Sequence, residues 1–162
     1  PSLRLGKNLS WCYARRIDQA LPQFVPGPIA DSDLLWWQWR NGTGDWGYPY
    51  SVDGNCFSTH EIREIAKRIT FNGPNSFERG LQIYAPYLTG QRLGVCFAKS
   101  RIVNIPCNRV QNEEKNYYGS VGTDFLLEQW NKGLQIDYRA LYGHNNISAH
   151  QEIDFKYISR DA

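Results

Sequence analysis

The sequence predicts an α+β fold, with an antiparallel sheet packed against two or three helices as an α/β sandwich. Three observations carry this. One segment starts as a fully signalled helix at Ser58. Two β-type runs stand close together at 93–98 and 101–105. Helical and strand-like segments are mixed without the regular β-α alternation of a parallel sheet. The 162 residues suit a single domain (1–162), with an irregular, aromatic-rich part (1–55) and an α+β core (56–162).

The elements follow in order. Trp11 to Ala20 reads as a short helix, and Leu21 to Pro28, with three prolines and a glycine, as an extended loop. Asp31-Ser32-Asp33 stands where it would cap a short segment carrying Leu34, Leu35, Trp36, Trp37 and Trp39. Asn41 to Asn55 is rich in Gly, Asn, Asp, Pro and Tyr and reads as a turn-rich loop.

Ser58 and Glu61 then form a Ser-x-x-Glu capping box, and Phe57 and Ile62 occupy the positions of a hydrophobic staple. Ile62, Ile65, Ala66 and Ile69 give the helix one apolar face, and Asn72-Gly73-Pro74 stops it. A second helix is expected over Phe77–Tyr84. Leu93–Ala98 and Arg101–Ile105 read as strands joined at Lys99-Ser100. After a polar loop over Gln111–Asn116, with Glu113 and Glu114 as solvated charges, Thr123 or Asp124 caps a helix that Gly133 ends. Leu134–Arg139 and Ile153–Ile158 read as further strands.

Composition limits the function classes. Hydrophobic residues make up 41% and aromatics 14%, which describes a folded domain, not a disordered tail. The apolar runs are too short for a membrane span. The net charge of +2 comes from interspersed charges with no basic block, which argues against nucleic acid as a partner. No cofactor motif and no metal-ligand spacing stand out. The chain begins at Pro1 and lacks Met, as a mature fragment with its leader removed would. Cys12, Cys56, Cys96 and Cys107 are an even set, compatible with two disulfides in any of three pairings. Sequons stand at Asn8, Asn41 and Asn146. Together these features point to a secreted, possible glycoprotein domain.

Cys56 carries the choice of function. Asp53-Gly54-Asn55-Cys56-Phe57 resembles the Asp-Gly-Asn-Cys signature around the nucleophile of ovarian-tumour-type cysteine proteases. That resemblance implies Cys56 as nucleophile, His144 or His150 as its base, and the turn at Asp53 helping to form an oxyanion site. The sequence departs from the family after the cysteine, where Ser58, Thr59 and His60 follow. With Ser58 as N-cap, Cys56 also falls two residues outside the helix.

The competing reading makes Cys56 structural. Gly54-Asn55-Cys56, the helix behind it and Gly94-Val95-Cys96-Phe97 are similar to secreted fungal effectors of the killer-toxin-like and Ecp2-like kind. This reading pairs Cys56 with Cys96 and Cys12 with Cys107. It implies a secreted, disulfide-stabilised effector or toxin-like protein that acts by binding a protein or glycan target, with no catalytic residue. A third element is aromatic: Trp36, Trp37, Trp39, Trp46, Tyr48 and Tyr50 form the expected contact surface, and the same rings would serve a carbohydrate-binding module. Against this, large aromatics also bury readily and would hold down an irregular loop. His60 is expected to be exposed.

Overall fold

The computed structural model describes residues 1–29, 32–90, 92–109, 111–112 and 114–161. The cap expected at Asp31 and the charge at Glu113 lie outside them. Antiparallel pairing and helices are both present, so the α+β class holds.

The first pair of strands, β1 (Trp11–Cys12) and β2 (Ile17–Asp18), stands where a short helix was expected. The reversal between them includes Arg16 at φ 53°, a left-handed conformation that a helix cannot contain. Next come β3 (Phe24–Val25) and β4 (Leu34–Gln38), then two short 3-10 turns at Trp39–Asn41 and Gly44–Gly47.

Helix α1 (Thr59–Ala66) is capped by Ser58, whose hydroxyl accepts from the Glu61 N–H. Half of the expected capping box is therefore in place. The Glu61 carboxylate is engaged by Tyr50 and Arg92. Helix α2 (Pro74–Ile83) begins with proline at its first position, where no amide partner is lost. Helix α3 (Ala85–Thr89) leads into β5 (Leu93–Phe97). Helix α4 (Thr123–Asn131) starts at Gly122 with no side-chain cap, so neither Thr123 nor Asp124 serves as one. Gly133, at φ 78°, closes its end as expected. The chain finishes with β6 (Leu134–Ile136) and β7 (Tyr157–Ser159), which pair antiparallel.

The central sheet runs β3-β4-β5. The strand expected at Arg101–Ile105 is absent, and β5 pairs with β4 instead, setting Trp37 opposite Gly94 and Leu35 opposite Cys96. Residues 101–104 are tied individually. The Arg101 and Ile102 amides both donate to Leu3 O, and Asn104 bridges to His150. The segment expected as a strand over 153–158 pairs only from Tyr157 onward.

Two cores hold the chain. Leu5, Leu9, Trp37, Trp46, Cys96 and Ala149 pack together beneath the central sheet. Tyr50, Ile65 and Leu81 form the second core, with Phe57, Ile62, Ile69, Phe77 and Tyr84 around them. Helices α1 to α3 thus pack largely on one another. Gly80 allows this approach, because a Cβ there would stand 2.8 Å from Ile69 Cδ1. Among the described residues, no helix is long and apolar enough to cross a membrane.

Candidate functional site

Alternation along β5 divides its side chains between two environments. Gly94 and Cys96 face the buried core. Leu93 and Val95 line a groove on the other side, with Cys56. This groove encloses about 300 Å³ and also takes in Trp39, Tyr50, Asn55, Phe57, Glu61 and Arg92. Its aromatic wall is fixed from behind: Tyr50 stacks on Phe57 at 5.7 Å, and the Trp39 ring meets Trp37 edge-on at 4.6 Å. Its polar rim is the Glu61 carboxylate, which accepts from Tyr50 OH at 2.7 Å and from the Arg92 guanidinium. Burial would raise the Glu61 carboxyl, but Arg92 and Tyr50 outweigh it and hold it below its ordinary value. Burial, and then Glu61, push the Tyr50 phenol well above the usual range, so it remains a donor. Asn55 gives its Nδ2 to Pro49 O, and its Oδ1 is buried without a partner.

The groove follows a sheet edge. β5 is the last strand of its sheet, and its outer edge is bridged only by Ser2, at Cys96, among the described residues. Ser2 also bridges Asn55, and the Cys56 amide donates to Pro1 O at 2.7 Å. Residues 1–3 therefore lie between the 54–56 segment and β5.

That arrangement corrects the expected disulfides. All four cysteines are free thiols. The segment around Ser2 separates Cys56 from β5, and Cys96 points to the opposite face of that strand. Cys12 sits under Gly44, where an added Cβ would lie 3.5 Å from its Sγ, while the Cys107 thiol contacts Ile105 O at 3.4 Å. Burial pushes the Cys96 thiol up to about 12 and raises Cys12 and Cys107 as well, so none of the three is an activated thiolate.

The histidines separate. His150 Nε2 lies 2.9 Å from Asp53 Oδ2, while its Nδ1 is buried without a partner. His144 contacts Gln151 instead, at 3.3 Å, and His60 is exposed on α1. The structure thus joins Asp53 to His150 but places Cys56 in the groove, which neither histidine lines.

Asp53 belongs to a buried network that the sequence did not signal. Arg4, 4% exposed, bonds to Asp45, Asp53 and Ser51, and Asp45 also accepts from Gln19. Asn104 donates to Asp53 at 3.1 Å. Burial opposes ionisation of Asp53, but His150, Arg4 and Ser51 together hold its carboxyl far below the usual range. A single arginine between two leucines has no motif, so only the fold reveals its role.

The expected aromatic surface is corrected in three places. Trp37 and Trp46 are fully buried and Tyr50 is 3% exposed, so their faces are core, and Trp37 Nε1 donates to Trp46 O. Trp36 and Trp39 are half-buried, and Tyr48 is exposed. Two sequons are also occupied by the fold. Asn8 Nδ2 donates to Asn146 O and Ser100 Oγ, and the 3%-exposed Asn146 donates its own Nδ2 to Ser148 O. Asn41 is exposed. Among the described residues, no cluster of three metal-ligating side chains occurs.

No protein-family model matches this chain, and comparisons with curated proteins and with solved structures give no match either.

Proposed function

We propose that this α+β protein acts by binding, and that the groove beside Cys56 takes an extended segment of a protein target. The observation that carries this reading is the coincidence of groove and sheet edge. Leu93 and Val95 belong to the outermost strand and also line the cavity; Ser2 already takes Val95 O, so an added strand would find its backbone partners at Leu93, beyond the point where Ser2 covers the edge. Its alternate side chains would meet Trp39 and Phe57, and Asn55 Oδ1, which has no partner among the described residues, would accept from it. The contact surface moves accordingly from the whole Trp36–Tyr50 loop to Trp39, Phe57 and their neighbours across the groove, with Tyr50 buried behind them.

A secreted, effector- or toxin-like role is the setting we propose for this binding. The exposed Asn41 sequon supports it, whereas the free thiols withdraw the support that disulfides would lend. Selection of peptides from a random displayed library on the folded protein tests the binding reading. Enriched peptides should lose binding to Trp39→Ala and Phe57→Ala variants that keep their thermal stability. Failure to enrich, or peptides indifferent to both substitutions, would remove the groove as a docking site.

One observation favours a second reading, a cysteine hydrolase of ovarian-tumour type: the Asp53–His150 pair has the carboxylate–imidazole form that orients the base of a nucleophilic triad, and on this reading Cys56, which lies in the groove apart from His150, must move to meet it. On that reading a ubiquitin active-site probe labels Cys56, and His150→Ala abolishes labelling. Labelling that survives His150→Ala would reflect only an accessible thiol.

A further inference from the structure

A second cavity, of about 340 Å³, lies away from the groove and has a different chemistry. Asn75, Glu78, Arg79 and Gln82 line one wall, spaced at i, i+3, i+4 and i+7 on α2, so they form one face of that helix. Phe77, Leu81 and Tyr84 join the helical core on its other side. Glu114 and Asn116 line the cavity from outside α2, and Tyr48, 36% exposed as a residue, completes the lining. The wall residues are held in place. Glu78 Oε2 accepts from the Val52 amide at 2.8 Å. Glu114 exchanges two hydrogen bonds with Gln111 and pairs with Arg79 at 2.5 Å.

The chemistry of the lining restricts the ligand. Among the described residues, Gln82 keeps its Nε2 buried without an acceptor, which is costly unless something supplies one. Two carboxylates stand against one guanidinium, so an anionic acceptor would be repelled. An ammonium ligand carries donors only and would leave Gln82 unpaired. A neutral group that both accepts and donates fits all of these constraints. Hydroxyl groups do so, and three amides, each with donor and acceptor ends, are suited to a row of them. Tyr48 adds an aromatic face for the apolar face of a sugar ring. Its phenol is pushed well above its ordinary range by burial, then by Glu78, and stays a neutral donor. The terminal torsion of Gln82 is broad, so its amide can turn to meet a ligand.

We infer that this cavity is a binding site for a neutral saccharide, separate from the groove beside Cys56. The inference does not depend on the proposed peptide binding and can fail or hold independently.

The folded chain is titrated with cellotetraose, chitotetraose and maltotetraose, and in parallel with spermine and inorganic sulfate, by amide and side-chain NMR. At least one tetrasaccharide should shift the Tyr48, Asn75 and Gln82 signals. Gln82→Met, which removes the unpaired donor while keeping an unbranched chain of similar length, should weaken that binding by about tenfold or more while thermal stability stays the same or rises. Asn75→Ala, at the N-terminal end of the same helix face, provides an independent variant and should also weaken binding. The inference is overturned if no tetrasaccharide shifts these signals, if only spermine or sulfate does, or if saccharide binding is unchanged in both variants.

Discussion

Asp53 Oδ2 stands 2.9 Å from His150 Nε2, and the other oxygen of that carboxylate is taken by Arg4 and Ser51. One side chain thereby ties the start of the chain, the turn before α1 and a segment near its end. The first prediction concerns its cationic partner. Arg4→Met leaves Asp45, itself 5% exposed, without its buried countercharge, and should cost about 3–5 kcal/mol in urea unfolding. Arg101→Ala, which breaks an exposed pair with Asp33, should cost no more than about 1 kcal/mol. Equal losses would refute the special place of Arg4.

Acid should weaken the fold through Asp53. Its folded-state carboxyl lies below its unfolded value, so the stability it contributes is present above the ordinary carboxylate range. That stability is lost as pH falls through that range toward the lower folded value. Stability measured between neutral pH and strong acid should therefore decline for the native chain and decline less steeply for Asp53→Asn. Parallel curves would assign acid sensitivity to other groups.

Burial separates two neighbouring tryptophans. Trp46→Ala should cost about 3–5 kcal/mol, since its ring is fully enclosed and packs on Trp37 and Phe24. Trp39→Ala should cost less, because part of that ring already faces the groove. Chemical denaturation of both variants compares them, and a reversed order would contradict the packing.

Gly94 is required by its partner across the sheet. A Cβ there would stand 2.4 Å from Trp37 Cζ2, too close for the ring to remain where it is. Gly94→Ala should therefore cost about 1–3 kcal/mol as overpacking strain. A neutral effect on the unfolding midpoint would mean that the core yields there.

Glycan attachment should be confined to one site. Expressed through a secretory pathway, the chain should gain a single enzyme-removable glycan, lost in Asn41→Gln and retained in Asn8→Gln. Two or more glycans by mass would show that the Asn8 or Asn146 sequon is reached before folding closes over it.

Local signals in the sequence carried the elements that local physics decides. Ser58, Phe57 and Ile62 marked α1, the β-rich run marked β5, and Gly133 marked the end of α4. Elements decided by distant partners were not legible. Trp11–Ala20 had helix-compatible spacing, but Gln19 is drawn to Asp45 and the Ser10 and Trp11 amides to Ile147, so the segment folds back as a hairpin. Ile102 and Ile105 looked like a strand, but their neighbours bond to Leu3 and Ala149 in place of a continuous partner. For the site, Asp53, Cys56, Trp39 and Tyr50 could be picked out by type. Which of them would share a surface depended on β5 parity, which separates Cys96 from Cys56. Arg92 and Gln82 carried no signal, because their importance lies in what the fold leaves beside them.

The first ten residues have a consequence for timing. Ser2, Lys7 and Asn8 bond to Val95, Ala98 and Asn146, and Leu5 and Leu9 pack with Ala149. Val95 and Ala98 follow residues 1–10 by about 85 positions and Asn146 and Ala149 by about 140, so a ribosome supplies the last of these partners on the order of ten seconds later. The helical cluster around Leu81 draws only on residues 50–85 and can close well before then. During synthesis Leu5, Leu9 and Trp37 therefore wait uncovered after helices α1 to α3 are made, and the sheet core closes after them, once Ala149 has been added.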